Sequence, residues 1–127
     1  MKKTIATPNA PQAIGPYSQA IRYGDFLFVS GQVAIDPSTG DIVEGDIEVQ
    51  TDRVLKNITA IVEAAGMSLQ NVVKCTCFLK DMNDFQIMNE EFAKVFPVYP
   101  PARTTVQTPL AEPEMLVEIE AVAYIGS

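Results

Sequence analysis

Apolar residues recur along this chain in two rhythms, and the changes of rhythm mark its elements. Val54, Leu55, Ile58, Ile61, Val62 and Ala65 fall at helical spacing on one face. Asp46 precedes them as a cap, Glu48 stands in the first turn where the helix dipole favours an anion, and Gly66 follows as a terminal glycine. A second stripe, Phe85, Met88, Phe92, Val95 and Phe96, predicts a helix from about Phe85 to Phe96, capped by Asn83 or Asp84 and stopped by Pro97. Asn89 falls inside that stripe, four residues after Phe85. An amide there pairs either with nearby backbone or with something in a site at the helix edge, because leaving it buried and unpaired costs about 1–3 kcal/mol.

The other rhythm is that of strands. A short strand is expected at Lys3–Ala6. Phe26-Leu27-Phe28-Val29 is apolar in both registers, as in a strand buried on both faces. Val72–Leu79 places Val73, Cys75, Cys77 and Leu79 on one apolar side. Leu116–Ile125 alternates, with Val117, Ile119, Ala121, Ala123 and Ile125 facing one way and Glu118 and Glu120 the other. Before it, Arg103, Thr105 and Gln107 share a face, and the loop around Thr108–Met115 predicts a hairpin joining the two last strands. An arginine and two carboxylates would then meet across neighbouring strands.

Breakers divide these runs. Gly15-Pro16 is a turn, and Tyr17 just beyond it is either a core anchor or a group aimed into a cleft. Ser30-Gly31-Gln32 interrupts the Phe26 run, and glycine there serves either a bulge or bend, or close backbone approach of a ligand or neighbour. Asp36-Pro37-Ser38-Thr39-Gly40 is a turn. The order of elements is strands, helix, strand, helix, two strands, which predicts an α+β fold in one domain over residues 1–127. Two helices cover only one face of such a sheet. The apolar second face then predicts assembly of several copies, with clefts between subunits.

Composition narrows the chemistry. No histidine occurs in 127 residues, which removes triads and metal sites built on imidazole. Cys75 and Cys77, two apart on one strand, have poor geometry for a disulfide and are too few for structural zinc. The net charge of −7 opposes nucleic acid and anionic membranes as partners. No apolar run approaches a membrane span, and the opening lysines lack an apolar stretch behind them, so a cytoplasmic location is expected. What remains is carboxylates, hydroxyls, backbone groups, water and arginine. One of the three arginines stands out: Tyr99-Pro100-Pro101-Ala102 delivers Arg103 rigidly to a strand start. There its planar fork suits a single carboxylate.

Six segments, in this order, carry a resemblance. They are Gly15-Pro16-Tyr17-Ser18-Gln19-Ala20, Ser30-Gly31-Gln32, Ile61-Val62-Glu63-Ala64-Ala65-Gly66, Asn83-Asp84-Phe85, Pro101-Ala102-Arg103 and Val117-Glu118-Ile119-Glu120-Ala121. Together they resemble the Rid family (also called YjgF) of enamine/imine deaminases, along essentially the whole chain. The resemblance implies a chorismate-mutase-like α+β fold, with a mixed sheet, two helices on one face and a homotrimer with three inter-subunit clefts. It implies hydrolysis of 2-aminoacrylate and short-chain 2-iminoacids to 2-keto acids and ammonia without a cofactor, as a 2-iminobutanoate/2-iminopropanoate deaminase. Arg103 matches the position that binds the substrate carboxylate, and Glu118 the one associated with water. Tyr17, Ser30, Gly31 and Asn89 match other site-lining positions. Thr105 departs from the pattern, since many members carry a cysteine there, though not as the nucleophile. The rival reading is a trimer that binds 2-keto acids without turnover and regulates something else.

Overall fold

The computed structural model describes residues 1–126. Helix α1 (Ile47–Ala64) opens where the Asp46 carboxylate accepts the Val49 N–H at 3.1 Å. It closes at Gly66, whose φ of 78° only glycine adopts freely. The Gly66 and Met67 amides donate back to the Glu63 and Val62 carbonyls, so the last turn is satisfied as the terminal glycine predicts. Helix α2 (Phe85–Val95) follows a short 3₁₀ turn, Met82–Asp84. The capping carboxylate there belongs to Asp81, which accepts the Asn83 N–H at 2.9 Å; the Asp84 side chain caps nothing.

Strands β1 (Lys2–Ile5), β2 (Ala20–Tyr23), β3 (Phe26–Gln32), β4 (Val72–Leu79), β5 (Ala102–Gln107) and β6 (Val117–Tyr124) form one sheet in the order β1-β2-β3-β6-β4-β5. All neighbours are antiparallel except β4 and β5. The expected hairpin between the last two strands is therefore absent. Instead β4, α2 and β5 form a crossover unit of adjacent parallel strands. That unit occupies one side of β4, and β6 inserts on the other, between β3 and β4. The last strand of the chain thus fills the middle of the sheet.

One face of the sheet carries the core. Leu27 and Val29 of β3, Cys75, Cys77 and Leu79 of β4, and Val117, Ile119, Ala121 and Ala123 of β6 pack with Val54, Ile58, Ile61 and Val62 of α1 and Met88 and Phe92 of α2. Val73 is not among them: the β4–β6 register shifts between Val72 and Lys74, and the bulge turns Val73 to the surface while Val72 takes the core place. On β3 only alternate residues are buried within one chain, so Phe26 and Phe28 lie bare rather than covered. With Tyr23 and Tyr124 they form an aromatic patch on the helix-free face, each 42–59 % exposed. The Phe26 ring stands 4.9 Å from that of Tyr124 and 6.1 Å from that of Phe28.

Candidate active site

The residues singled out in the sequence fall into two groups. The first gathers where β3 bulges. Its register with β6 shifts between Val29 and Gln32, which releases Ser30 and Gly31 from regular pairing. The Ser30 hydroxyl donates to the Ser18 carbonyl at 2.6 Å, and the Ser30 N–H donates to the Gln19 carbonyl at 2.9 Å. The loop carrying Tyr17 is thereby tied to the bulge.

Gln19, which the sequence reading passed over, secures that loop from inside. Its buried Oε1 accepts the Thr7 N–H at 2.7 Å, and its Nε2 reaches the carbonyls of Thr7, Ala10 and Pro11 at 3.1, 3.2 and 2.7 Å. A buried amide so fully satisfied fixes the path of every segment it touches. Tyr17 itself is exposed, its hydroxyl accepting the Ile14 N–H at 3.4 Å. Tyr17, Gly31 and Gln32 line an open cleft of about 540 Å³ together with Val33, Ile35 and Pro37.

Glu118 belongs to this group. It lies on the helix-free face of β6, registered against Phe78 of β4, with its carboxylate against the Gly31 backbone. Burial and the neighbouring Glu120 push its pKa above the ordinary glutamate value.

The second group sits on β5 and α2. Arg103 is registered with Cys75, so it points to the helix-covered side of the sheet. Its guanidinium carbon lies 4.9 Å from the Phe92 ring centre and 5.5 Å from that of Phe85. Those two phenylalanines read as core in the sequence; their spacing of seven, two helical turns, was the signal that both could floor one charge. Among the described residues no carboxylate pairs with Arg103. Thr105, registered with Cys77, has a buried hydroxyl without a nitrogen or oxygen partner. The Cys77 sulfur beside it is its polar neighbour, a contact short of a well-formed hydrogen bond. Burial drives the thiol pKa values of Cys75 to about 12 and Cys77 to about 11, the Arg103 charge opposing the rise. Both are inert as nucleophiles.

Asn89 requires a correction. It is exposed, because the buried side of α2 centres on Met88, Glu91 and Phe92 rather than on Phe85. Glu91 takes the buried polar place, with its carboxylate paired to Lys94 one turn on.

The second correction is larger: Arg103 and Glu118 do not meet within one chain. They stand on opposite faces of the sheet, and β4 separates their strands. From the β3 bulge to β5 is three strand spacings, about 14 Å. A three- or four-carbon ligand spans neither the sheet nor that distance.

Residues 7–125 match the family model described as Endoribonuclease L-PSP. The chain belongs to that family. A RutC family protein of Pyrococcus horikoshii is 57% identical over 124 residues, covering 98% of this chain and 98% of that one. The 2-iminobutanoate/2-iminopropanoate deaminase of Salmonella typhimurium is 44% identical over 126 residues, covering 97% of this chain and 98% of that one. Among solved structures, a Rid family protein from Yersinia pestis superposes with a TM-score of 0.93 at 46% identity, covering 98% of this chain and all of that one. The resemblance to the Rid family read from six motifs therefore holds along the chain, and so does the α+β fold with two helices on a mixed sheet. Among the described residues no helix is long and apolar enough to cross a membrane.

Proposed function

We propose that this chain is a 2-iminoacid deaminase that works as a homotrimer, with each active site shared between two copies. The observation that carries this reading is Arg103: a permanently charged fork, partly buried over two aromatic rings, with no carboxylate paired to it among the described residues. Desolvating a guanidinium without a partner is costly, so the position makes sense as one completed by an anionic ligand. The name of the Salmonella relative supports the choice of a 2-iminoacid as that ligand. The exposed aromatic patch on the helix-free face supports the assembly, because a lone monomer rarely leaves such a patch in water.

In this scheme Arg103 of one copy binds the substrate carboxylate through two parallel hydrogen bonds. Tyr17, Ser30 and Gly31 of the adjoining copy wall the cleft, Thr105 lies beside the clamp, and Asn89 stands at its rim. Glu118 holds a water and takes its proton as the oxygen adds to the imine carbon. Return of that proton to the imine nitrogen gives a neutral carbinolamine, with one hydroxyl and one amine on that carbon. Transfer of the hydroxyl proton to the amine then expels ammonia and leaves the 2-keto acid, so one water is consumed for each ammonia released. An imine hydrates readily, and orientation with electrostatic support is all the protein needs to add. No metal or cofactor takes part. The acidic charge of −7 opposes the RNA-directed activity in the family's description, as it does any nucleic-acid partner, and the cytoplasm is the expected location.

The test couples an amino-acid oxidase, which releases 2-iminoacids, to the purified protein and follows disappearance of the imine. Faster loss with protein than without it is expected. Binding of a 2-keto acid with no acceleration would sink the enzyme and favour a regulatory trimer.

A further inference from the structure

We infer that Gly31 is a positioning residue: the space left by its missing side chain is the seat of the Glu118 carboxylate, so the bulge in β3 decides where that carboxylate stands. Four glycines here have a left-handed backbone, Gly24, Gly40, Gly45 and Gly66, and need to be glycine for that reason. Gly31 is not among them, so its backbone is open to any residue. What it lacks is room. A Cβ built on Gly31 would collide with Glu118 Oε2, and would lie 3.0 Å from its Cδ and 3.2 Å from its Cγ. The glycine and the glutamate thus fit as hole and plug across the β3–β6 boundary.

The surroundings show why such a seat matters. From β4 the registered neighbour is the apolar Phe78; from β3 it is the bulge itself; among the described residues the charge acting on the carboxylate is that of Glu120, two residues on along β6. No cation among the described residues holds Glu118 in place. Shape holds it instead, and the same seat shields it from water, which fits its elevated pKa. The plug is the far end of a flexible side chain, so an added methyl would displace the carboxylate rather than break the sheet. The consequence for turnover rests on the hydrolytic reading above; the seat does not.

The test is Gly31→Ala, read by a crystal structure, by Glu118 titration in carboxyl-labelled protein, and by imine hydrolysis. The Glu118→Gln protein assigns the carboxyl signal. The expected result is an intact fold and assembly, with the carboxylate swung out by more than about 1 Å and its pKa lowered toward the ordinary value. With it, kcat should fall at least about tenfold while KM changes less. A carboxylate that keeps its place and its pKa in the Gly31→Ala protein overturns the inference. A carboxylate that moves while turnover stays intact upholds the seat and overturns the role given to Glu118 in hydrolysis. If Gly31→Ala fails to fold, the pair Gly31→Ala with Glu118→Ala decides: recovery of folding supports the seat, and continued failure shows that something other than Glu118 demands the space.

Discussion

Arg103 and Glu118 carry opposite charges on opposite faces of the sheet, and different physics holds each of them. Arg103 stands on a floor of Phe85 and Phe92, built from a regular helix packed beside a regular strand. Glu118 stands against an irregularity, the bulge of β3 and the missing side chain of Gly31. The arginine is kept charged because nothing normally strips its proton, so its half of the site requires only placement. The glutamate is held where its charge is disfavoured, so its half is tuned as well as placed. The fold thus holds one charge by regular packing, and seats the other, with its pKa raised by burial and by Glu120, against a break in regular structure.

The comparison breaks most completely if the two halves are kept in separate molecules. Phe28→Asp puts a charge into the bare aromatic face and should dissolve the proposed trimer. Sedimentation is expected to give the 13.8 kDa monomer with no imine hydrolysis, while the far-ultraviolet spectrum stays native. A fully active Phe28→Asp monomer would refute the shared site.

Next comes the arginine half alone. Arg103→Lys keeps the charge but loses the fork, and one lost charge-assisted contact is worth about 1.5–3 kcal/mol, or roughly one to two decades in kcat/KM. Arg103→Ala should do more, with assembly unchanged in both. Unaltered hydrolysis by Arg103→Ala would remove it from the site.

A finer cut removes the floor and leaves the fork. Phe92→Leu preserves an apolar core residue but takes away a ring face, so KM should rise about two- to fivefold, the worth of a cation–π contact of about 0.5–1 kcal/mol. A change confined to kcat, with KM as before, would mean that the ring does not serve the clamp.

The smallest effect concerns stability at the carboxylate half. The Glu118 pKa is raised on folding, so folding favours its protonated form. That contribution is complete below the unfolded value, near 4.5, and is lost as pH rises through the folded one. Glu118→Gln should therefore be more stable than the parent at neutral pH, by no more than about 1 kcal/mol for a half-exposed group, and equally stable at acid pH. Thermal melts at the two pH values check this. A lower neutral-pH melting point for Glu118→Gln would show that the ionised carboxylate has a stabilising partner.

Much of this molecule is written locally in its sequence. Asp46 and Gly66 bracket α1 because a cap and a left-handed glycine act within one helical turn. The bounds of β4 follow from its run of apolar residues, and the absence of histidine limits the chemistry before any fold is known. The six motifs carry the family. What the sequence left open depends on partners far along the chain. Whether β5 joins β6 or β4 is settled by α2, which returns β5 parallel beside β4 and leaves β6 the other side. That choice turns Arg103 away from Glu118. The rotation of α2 that exposes Asn89 is set by the elements it packs against, and the bulge that expels Val73 by the register of β4 with β6. Gly31 shows the limit most plainly. Its sequence context allowed a bulge, a bend, or close approach of a ligand or a neighbour, and only the side chain of a residue 87 positions later shows which neighbour the space is for. Backbone preferences act over a few residues, whereas strand pairing and side-chain seats are decided by whichever distant segment arrives to fill them.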